Sequence, residues 1–200
     1  MWQWKDPGNV NETYSSLSAD GRTPGCAHHC GPPVSFIPLG RTTMLRAVTV
    51  ADLPEIDSLI ERSVLQTLEA PAIDKAHYLQ RIRQNLAWWK DNPDLAVHLQ
   101  VSADAMPVGV ILVKNFWNLC HLFVDPSRQR TGIGSALVQA AIEQCRGRTS
   151  RPAVRVNSSR NAIPFYRSKG FVVVHEAPPP YTGLQFEYPF SHVTELRSAP

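Results

Sequence analysis

No stretch of this 200-residue chain approaches the roughly 20 consecutive apolar residues that crossing a bilayer requires. The opening Met-Trp-Gln-Trp-Lys-Asp-Pro-Gly also lacks the apolar core of an export signal. A cytoplasmic protein with no membrane partner is therefore expected. In that compartment the four cysteines, Cys26, Cys30, Cys120 and Cys145, do not make a disulfide framework. Charge bias is small too: 20 Lys and Arg against 17 Asp and Glu leave +3. That is too little for a nucleic-acid footprint, so no nucleic-acid partner is expected. Asn11-Glu-Thr and Asn157-Ser-Ser match glycosylation sequons, which without an export signal are read as accidental.

Residues 1–43 have no hydrophobic period of 2 or 3.6 and are dominated by Gly, Pro, Ser, Asn and Thr. They read as a disordered leader. Within it, Cys26-Ala-His-His-Cys30 offers metal-ligand residue types, but the spacing matches no common zinc finger and no second ligand pair follows. No metal is expected. The ordered pattern starts so abruptly at Met44 that Met44 is a candidate start of the functional chain. Residues 44–190 form one domain, and 191–200 a tail.

Between Cys120 and Leu137 an apolar strand breaks at Pro126, passes through a glycine-containing loop and becomes an amphipathic helix. Glycines at the start of a helix let backbone N–H groups approach an anion, and the helix dipole favours negative charge there. Two phosphate-loop templates fail. A P-loop needs Lys and Ser or Thr after its last glycine, where Ser135 and Ala136 stand. A dinucleotide fingerprint needs a third glycine where Leu137 stands, and an acidic residue at the end of the next strand, which offers Arg155 and Asn157. A third pattern, Val-x-Pro-x-x-Gln/Arg-x-x-Gly-x-Gly/Ala, is filled by Val124, Pro126, Gln129, Gly132 and Gly134.

A second element follows one helix later: Ala162-x-x-Phe165-Tyr166-x-x-x-Gly170-Phe171, in which Ala162, Phe165 and Tyr166 share one helical face. Glycines before a helix often only turn the chain, and a helical Tyr is usually core. Both elements in this order and spacing, however, resemble the signatures of the GNAT superfamily of acetyl-CoA-dependent N-acetyltransferases. The resemblance implies an α/β GNAT fold, a mixed twisted sheet flanked by helices in a single domain. Periodicity gives the matching order β-α-α-β-β-β-α-β-α-β-β. Met44–Val48 is the first strand, and a Thr49/Asp52 capping box opens a helix carrying Leu53, Ile56, Ile60 and Val64. A second helix starts at Asp74 with a stripe of Leu79, Ile82, Leu86 and Trp89. Leu95, Val97, Leu99 and Val101 alternate with polar residues as a half-buried strand, and Val108–Val113 pairs back on it. After the glycine helix come a strand at Ala153–Asn157, a turn at Asn157–Ser159, a helix at Asn161–Lys169 and a closing hairpin.

The resemblance also implies a site. The strand carrying Leu122, Phe123 and Val124 splays from the next, and the pantetheine arm lies in the gap, bonded to backbone at Leu122 and Val124. The amides of Gln129, Arg130, Thr131, Gly132, Ile133, Gly134 and Ser135 hold the pyrophosphate, with Asn157 and Ser159 as further pantetheine contacts. Tyr166 returns a proton to the departing thiol, a transfer made easy if its pKa is near 10. Arg128, Arg130, Arg146, Arg148 and Arg151 are read as a basic cluster near this loop. The partners are acetyl-CoA, as co-substrate, and an amine acceptor, small molecule or protein. A general base is not evident: the family's Glu position is Asn118, and strand alternation places His121 opposite Cys120 and Leu122, as a packed residue. Glu69 and His175, in the acceptor-pocket segments Gln66–Ile73 and His175–Gly183, remain options. A non-catalytic acyl-CoA-binding module and a different nucleotide-binding α/β protein stay open as alternatives, and the sequence does not fix the oligomeric state.

Overall fold

A computed structural model describes residues 43–68, 72–176 and 183–190; the leader, its Cys26/Cys30 cluster, Glu69 and the tail lie outside the described residues. One seven-stranded sheet runs through the domain in the order β1-β2-β3-β4-β5-β7-β6. Its strands are β1 (Thr43–Ala47), β2 (Ala96–Ala103), β3 (Met106–Lys114), β4 (Asn118–Val124), β5 (Ala153–Ser158), β6 (Val172–Glu176) and β7 (Leu184–Pro189). Helices α1 (Leu53–Thr67), α2 (Ala72–Asp91), α3 (Ile133–Cys145) and α4 (Ile163–Ser168) complete it, in the expected order. Small boundary differences remain. Thr43, assigned to the leader, already belongs to β1. Helix α2 begins two residues before Asp74, Asn157 ends in a strand, and the helix expected at Asn161 opens as a 3₁₀ turn, Arg160–Ala162.

Two hydrophobic layers sandwich the sheet. On one face α1 and α2 pack Ile56, Leu59, Ile60, Val64, Leu79, Ile82, Leu86 and Trp89 against Val110 and Leu112 of β3. On the other, α3 and α4 pack Leu137, Val138, Ala141, Ile142, Cys145 and Tyr166 against Val97, Leu99, Val101, Ile111 and Val113. The capping box is present: the Thr49 amide donates to Asp52 at 2.7 Å, and Arg46 clamps the same carboxylate at 2.5 and 2.8 Å.

Strand β2 corrects the half-buried reading, because all eight of its residues are buried. Its polar positions His98, Gln100 and Ser102 face the α1/α2 layer instead of water. Alternation assigns the two faces correctly, but a second helical layer covers the polar one. The β2–β3 turn is a tight two-residue one, with Asp104 and Ala105 both at positive φ (51° and 65°).

Candidate active site

Strands β4 and β5 are parallel neighbours over two residue pairs only, Asn118 with Arg155 and Leu119 with Val156. Beyond them β4 stays paired to β3 as far as Val124, and β5 stays paired to β7 as far as Ser158. The two strands therefore diverge, and a V-shaped gap opens in the middle of the sheet. The divergence starts at a β-bulge. Leu112 opposes His121 while Val113 opposes Leu119, which leaves Cys120 as an extra residue. The bulge corrects the simple alternation: Cys120 packs on the α1/α2 layer, the side that also holds His121, whereas Leu122 and Val124 turn to the other.

The glycine loop closes the mouth of this gap. Residues Ser127 to Gly132 are exposed, and Gly132 caps α3 with φ +92°. A Cβ there would meet nothing within 4 Å, so glycine serves the left-handed backbone and not a tight space. Arg130, also left-handed at φ 63°, holds a conformation that costs a residue with a side chain roughly 1 kcal/mol or more. Helix α3 makes its first hydrogen bond from Ala136 to the Gly132 carbonyl, 3.0 Å. Among the described residues no amide from Gln129 to Ser135 has a protein acceptor. They form an unspent donor set at a helix N-terminus. Side chains tie the loop into shape: Thr131 Oγ1 donates to the Arg128 carbonyl at 2.7 Å, Gln129 Nε2 to the Val124 carbonyl at 3.4 Å, and Ser127 Oγ to Asp125 at 2.6 Å. Gly134 sits where a Cβ would lie 3.5 Å from both Val124 and Phe165, so the donors, β4 and α4 converge at one point.

Gly109 brings them together. A Cβ on this β3 glycine would lie 2.6 Å from Ile133 Cγ2 and 3.0 Å from Leu137, so its bare backbone is what lets the first turn of α3 settle on the sheet. Sequence reasoning passed over this residue, although an isolated glycine inside a strand pattern is the signal of such close approach.

Tyr166 stands beside the gap on α4. Its ring is 6% exposed and wedged edge-on between Phe165 and Phe171, at 5.3 and 5.2 Å, with Phe186 at 6.1 Å. Gly170, at φ +85°, reverses the chain so that the Phe171 amide returns to the Tyr166 carbonyl at 3.1 Å. Among the described residues the Tyr166 hydroxyl has no hydrogen-bond partner, and it is not fully enclosed. Burial, with a smaller push from the Tyr78 phenol, raises its pKa well above the ordinary value near 10. The ordinary phenol pKa assumed from the sequence is thereby corrected upward, and Tyr166 is held in its protonated form.

Other expected residues are placed less centrally. Asn157 already accepts a hydrogen bond from Gln185 at 3.1 Å, and Ser159 donates to Asn161 at 2.6 Å. Arg146, Arg148 and Arg151 are not near the loop. They follow the C-terminus of α3, about 20 Å from its first residue by helical rise, and cover Phe190, Phe116 and Trp117. Only Arg128 and Arg130 stay beside the donors.

The model of the acetyltransferase (GNAT) domain family matches residues 65–186, more than half of the chain. The chain belongs to the GNAT acetyltransferase family. No curated protein sequence matches this GNAT chain, but solved structures do. The PaiA N-acetyltransferase of Thermoplasma acidophilum, solved in complex with coenzyme A, is 16% identical with a TM-score of 0.63, over 74% of this chain and 99% of that one. The ribosomal-protein-S18-alanine N-acetyltransferase of Escherichia coli is 16% identical with a TM-score of 0.56, over 78% and 99%. A GNAT family acetyltransferase of Brucella melitensis, in complex with acetyl-CoA, is 19% identical with a TM-score of 0.53, over 76% and 90%. The mixed sheet flanked by helices is thus the GNAT fold. Among the described residues no helix is long and apolar enough to cross a membrane.

His121 is buried at 3% exposure in this GNAT chain, with His98 across β3 at a ring separation of 5.9 Å and Trp89 edge-on to His98 at 4.5 Å. Among the described residues none of the four ring nitrogens has a partner. Burial pushes His121 down to about 3, and burial plus the neighbouring imidazole push His98 down to about 2. His121 is therefore a neutral packed side chain and a poor base.

Proposed function

We propose that this protein is an N-acetyltransferase that moves an acetyl group from acetyl-CoA to a primary amine in a ternary complex. The observation that carries this reading is the run of unpaired amides from Gln129 to Ser135 at the mouth of the β4–β5 gap. A diphosphate satisfies such donors, and the open edge of β4 at Leu122, Phe123 and Val124 offers backbone groups to an amide-containing arm. The family and the coenzyme A and acetyl-CoA complexes of the structural neighbours support the same choice of ligand.

The chain's residues then divide the chemistry. Backbone donors fix the diphosphate, which confines the acyl end to the gap and converts a bimolecular encounter into an oriented one. An amide near Val124 stabilises negative charge on the carbonyl oxygen as the amine nitrogen bonds to the acyl carbon. As the carbon–sulfur bond breaks, the Tyr166 hydroxyl donates a hydrogen bond to the departing sulfur, and its proton passes over only as the phenol oxygen takes up the proton that the attacking nitrogen sheds, so that the high-pKa phenol is never left ionised. Since His121 is sealed and neutral, the acceptor enters as free amine. The expected setting is the cytoplasm, and no metal takes part.

Isothermal calorimetry with acetyl-CoA and with free coenzyme A tests the binding half. Thiol release in the presence of ethanolamine, spermidine, kanamycin and an alanine-terminated peptide tests the transfer half. Saturable heat with both ligands and amine-dependent thiol release are expected. No heat with either ligand overturns the reading.

A further inference from the structure

Helix α1 ends without the usual means of satisfying its last carbonyls. No basic residue stands in its final turn, and its C-cap, Leu68, has an extended backbone and is not a glycine. Leu68 returns its own amide to the Val64 carbonyl at 3.1 Å. Two of the carbonyls beyond it are served from other elements. Lys75 Nζ, in the first turn of α2, donates to the Leu65 carbonyl at 3.0 Å, and Asn161 Nδ2 donates to the Thr67 carbonyl at 3.4 Å. The second bond joins residues 94 apart in the chain. Asn161 stands in the turn between β5 and α4, where its Oδ1 accepts from Ser159 Oγ at 2.6 Å. Its amide is thus fixed on the β5 side and used as a cap on α1.

Five residues earlier the same helix reaches the other lip of the gap. Arg62 Nη2 lies 3.5 Å from Oδ2 of Asp125, the residue directly after β4. The amide and hydroxyl of Ser127 both donate to Oδ1 of this carboxylate, at 3.0 and 2.6 Å, which leaves Oδ2 to the arginine. From Arg62 to Thr67 the helix rises about 7.5 Å. That exceeds the roughly 4.8 Å between paired strands, as lips that have parted require. The end of α1 is therefore tied to the chain just beyond β4 and just beyond β5. Each tie is long and exposed and contributes little to folding, so both bear on how this turn is held.

We propose that the last turn of α1 is a strap across the mouth of the β4–β5 gap, and that Asn161 is the positioning residue that fastens it on the β5 side. This rests on the acetyltransferase reading above. The strap carries acetyl-CoA occupancy of the gap to the acceptor segment that starts at Gln66. Once the thioester fixes the two lips, the Thr67 carbonyl is held and the wall for the amine is set before the amine arrives. A ligand that steadies the lips favours the fastened strap, and an acceptor that needs the fastened strap then binds better.

Hydrogen exchange on the full chain reads the strap without any acceptor. Saturating acetyl-CoA should slow amide exchange in a peptide covering Arg62 to Leu68 by about three- to fivefold. Asn161→Asp should abolish that protection, while calorimetry finds acetyl-CoA affinity held within about twofold. Aspartate keeps the side-chain shape and the acceptor for Ser159 and removes only the donor to Thr67, at an exposed position where folding does not depend on it. With whichever of the four amines above gives turnover, the variant should raise the amine KM about three- to fivefold, with kcat and the acetyl-CoA KM unchanged. General loss of structure would not produce that split. Lack of protection in wild-type protein that binds acetyl-CoA overturns the inference alone, as does protection that survives in Asn161→Asp or an unaltered amine KM. Absence of acetyl-CoA binding overturns the parent reading instead.

Discussion

Replacing Tyr166 by Phe should separate catalysis from stability, because the ring packs in the core while the oxygen carries the role proposed for it at the sulfur. The ring fills the space among Phe165, Phe171 and Phe186, and Phe would fill it equally. The oxygen has no partner among the described residues, so its removal breaks no hydrogen bond. A largely buried hydroxyl without a partner carries a desolvation cost of about 1–3 kcal/mol, part of which the variant recovers. Thermal denaturation should therefore show a Tm unchanged or raised by about 2–4 °C for each kcal/mol recovered in a domain of this size. Turnover should fall by about 100-fold or more, the usual worth of a positioned acid, with acetyl-CoA affinity held within about twofold. Tyr166→Ala should instead lose about 3–5 kcal/mol by emptying the aromatic cluster. A Tm of Tyr166→Phe that drops by several degrees would refute the orphaned hydroxyl, and undiminished thiol release would refute its role as donor to the sulfur.

Three further outcomes are expected. Gly132→Ala adds no clash but forces a side chain to φ +92°, so calorimetry should report acetyl-CoA affinity weakened about tenfold with a stability loss of only about 1 kcal/mol; equal affinity would mean that the amides need no such aim. Gly109→Val drives a branched side chain into Ile133 and Leu137 and should cost about 3 kcal/mol or more by urea denaturation, with acetyl-CoA binding lost as α3 shifts. His98 and His121 are neutral when folded but titrate near 6.5 when unfolded, so the unfolded chain binds more protons once the pH drops below that value. Stability should then decline as pH falls from about 6.5 toward about 3, by up to about 1.4 kcal/mol per unit for each histidine, and His121→Leu should flatten the slope measured by urea titrations between pH 7 and 5.

The sequence was legible where one residue type has one physical use. Gly132 and Gly134 with Pro126 announced the loop, the apolar spacing Leu79–Ile82–Leu86–Trp89 announced the buried face of α2, and Thr49 with Asp52 announced a cap. It was opaque where meaning depends on what lies across a gap. Nothing in Asn118-Leu-Cys-His-Leu-Phe-Val says that Cys120 is an inserted residue, because a bulge is defined by the partner strand. The polar side of β2 read as wet because only the packed structure shows α1 and α2 covering it. The arginines after Cys145 read as neighbours of the loop because a helix separates in space what it keeps close in sequence. Asn161 carried no signal of its use, since the Thr67 carbonyl that it meets lies 94 residues back in the chain.

The two-rung junction between β4 and β5 has a mechanical meaning as well. Four strands on one side and three on the other are laced together in the sheet by Asn118–Arg155, Leu119–Val156 and the 2.6 Å bond from the Arg155 amide to the Trp117 carbonyl. A guest seated along the bare edge of β4, as proposed above, would lie as a temporary eighth strand and tighten the seam. Pulled from its two borders, the domain should tear first along this line, at a force that rises when the slot is occupied.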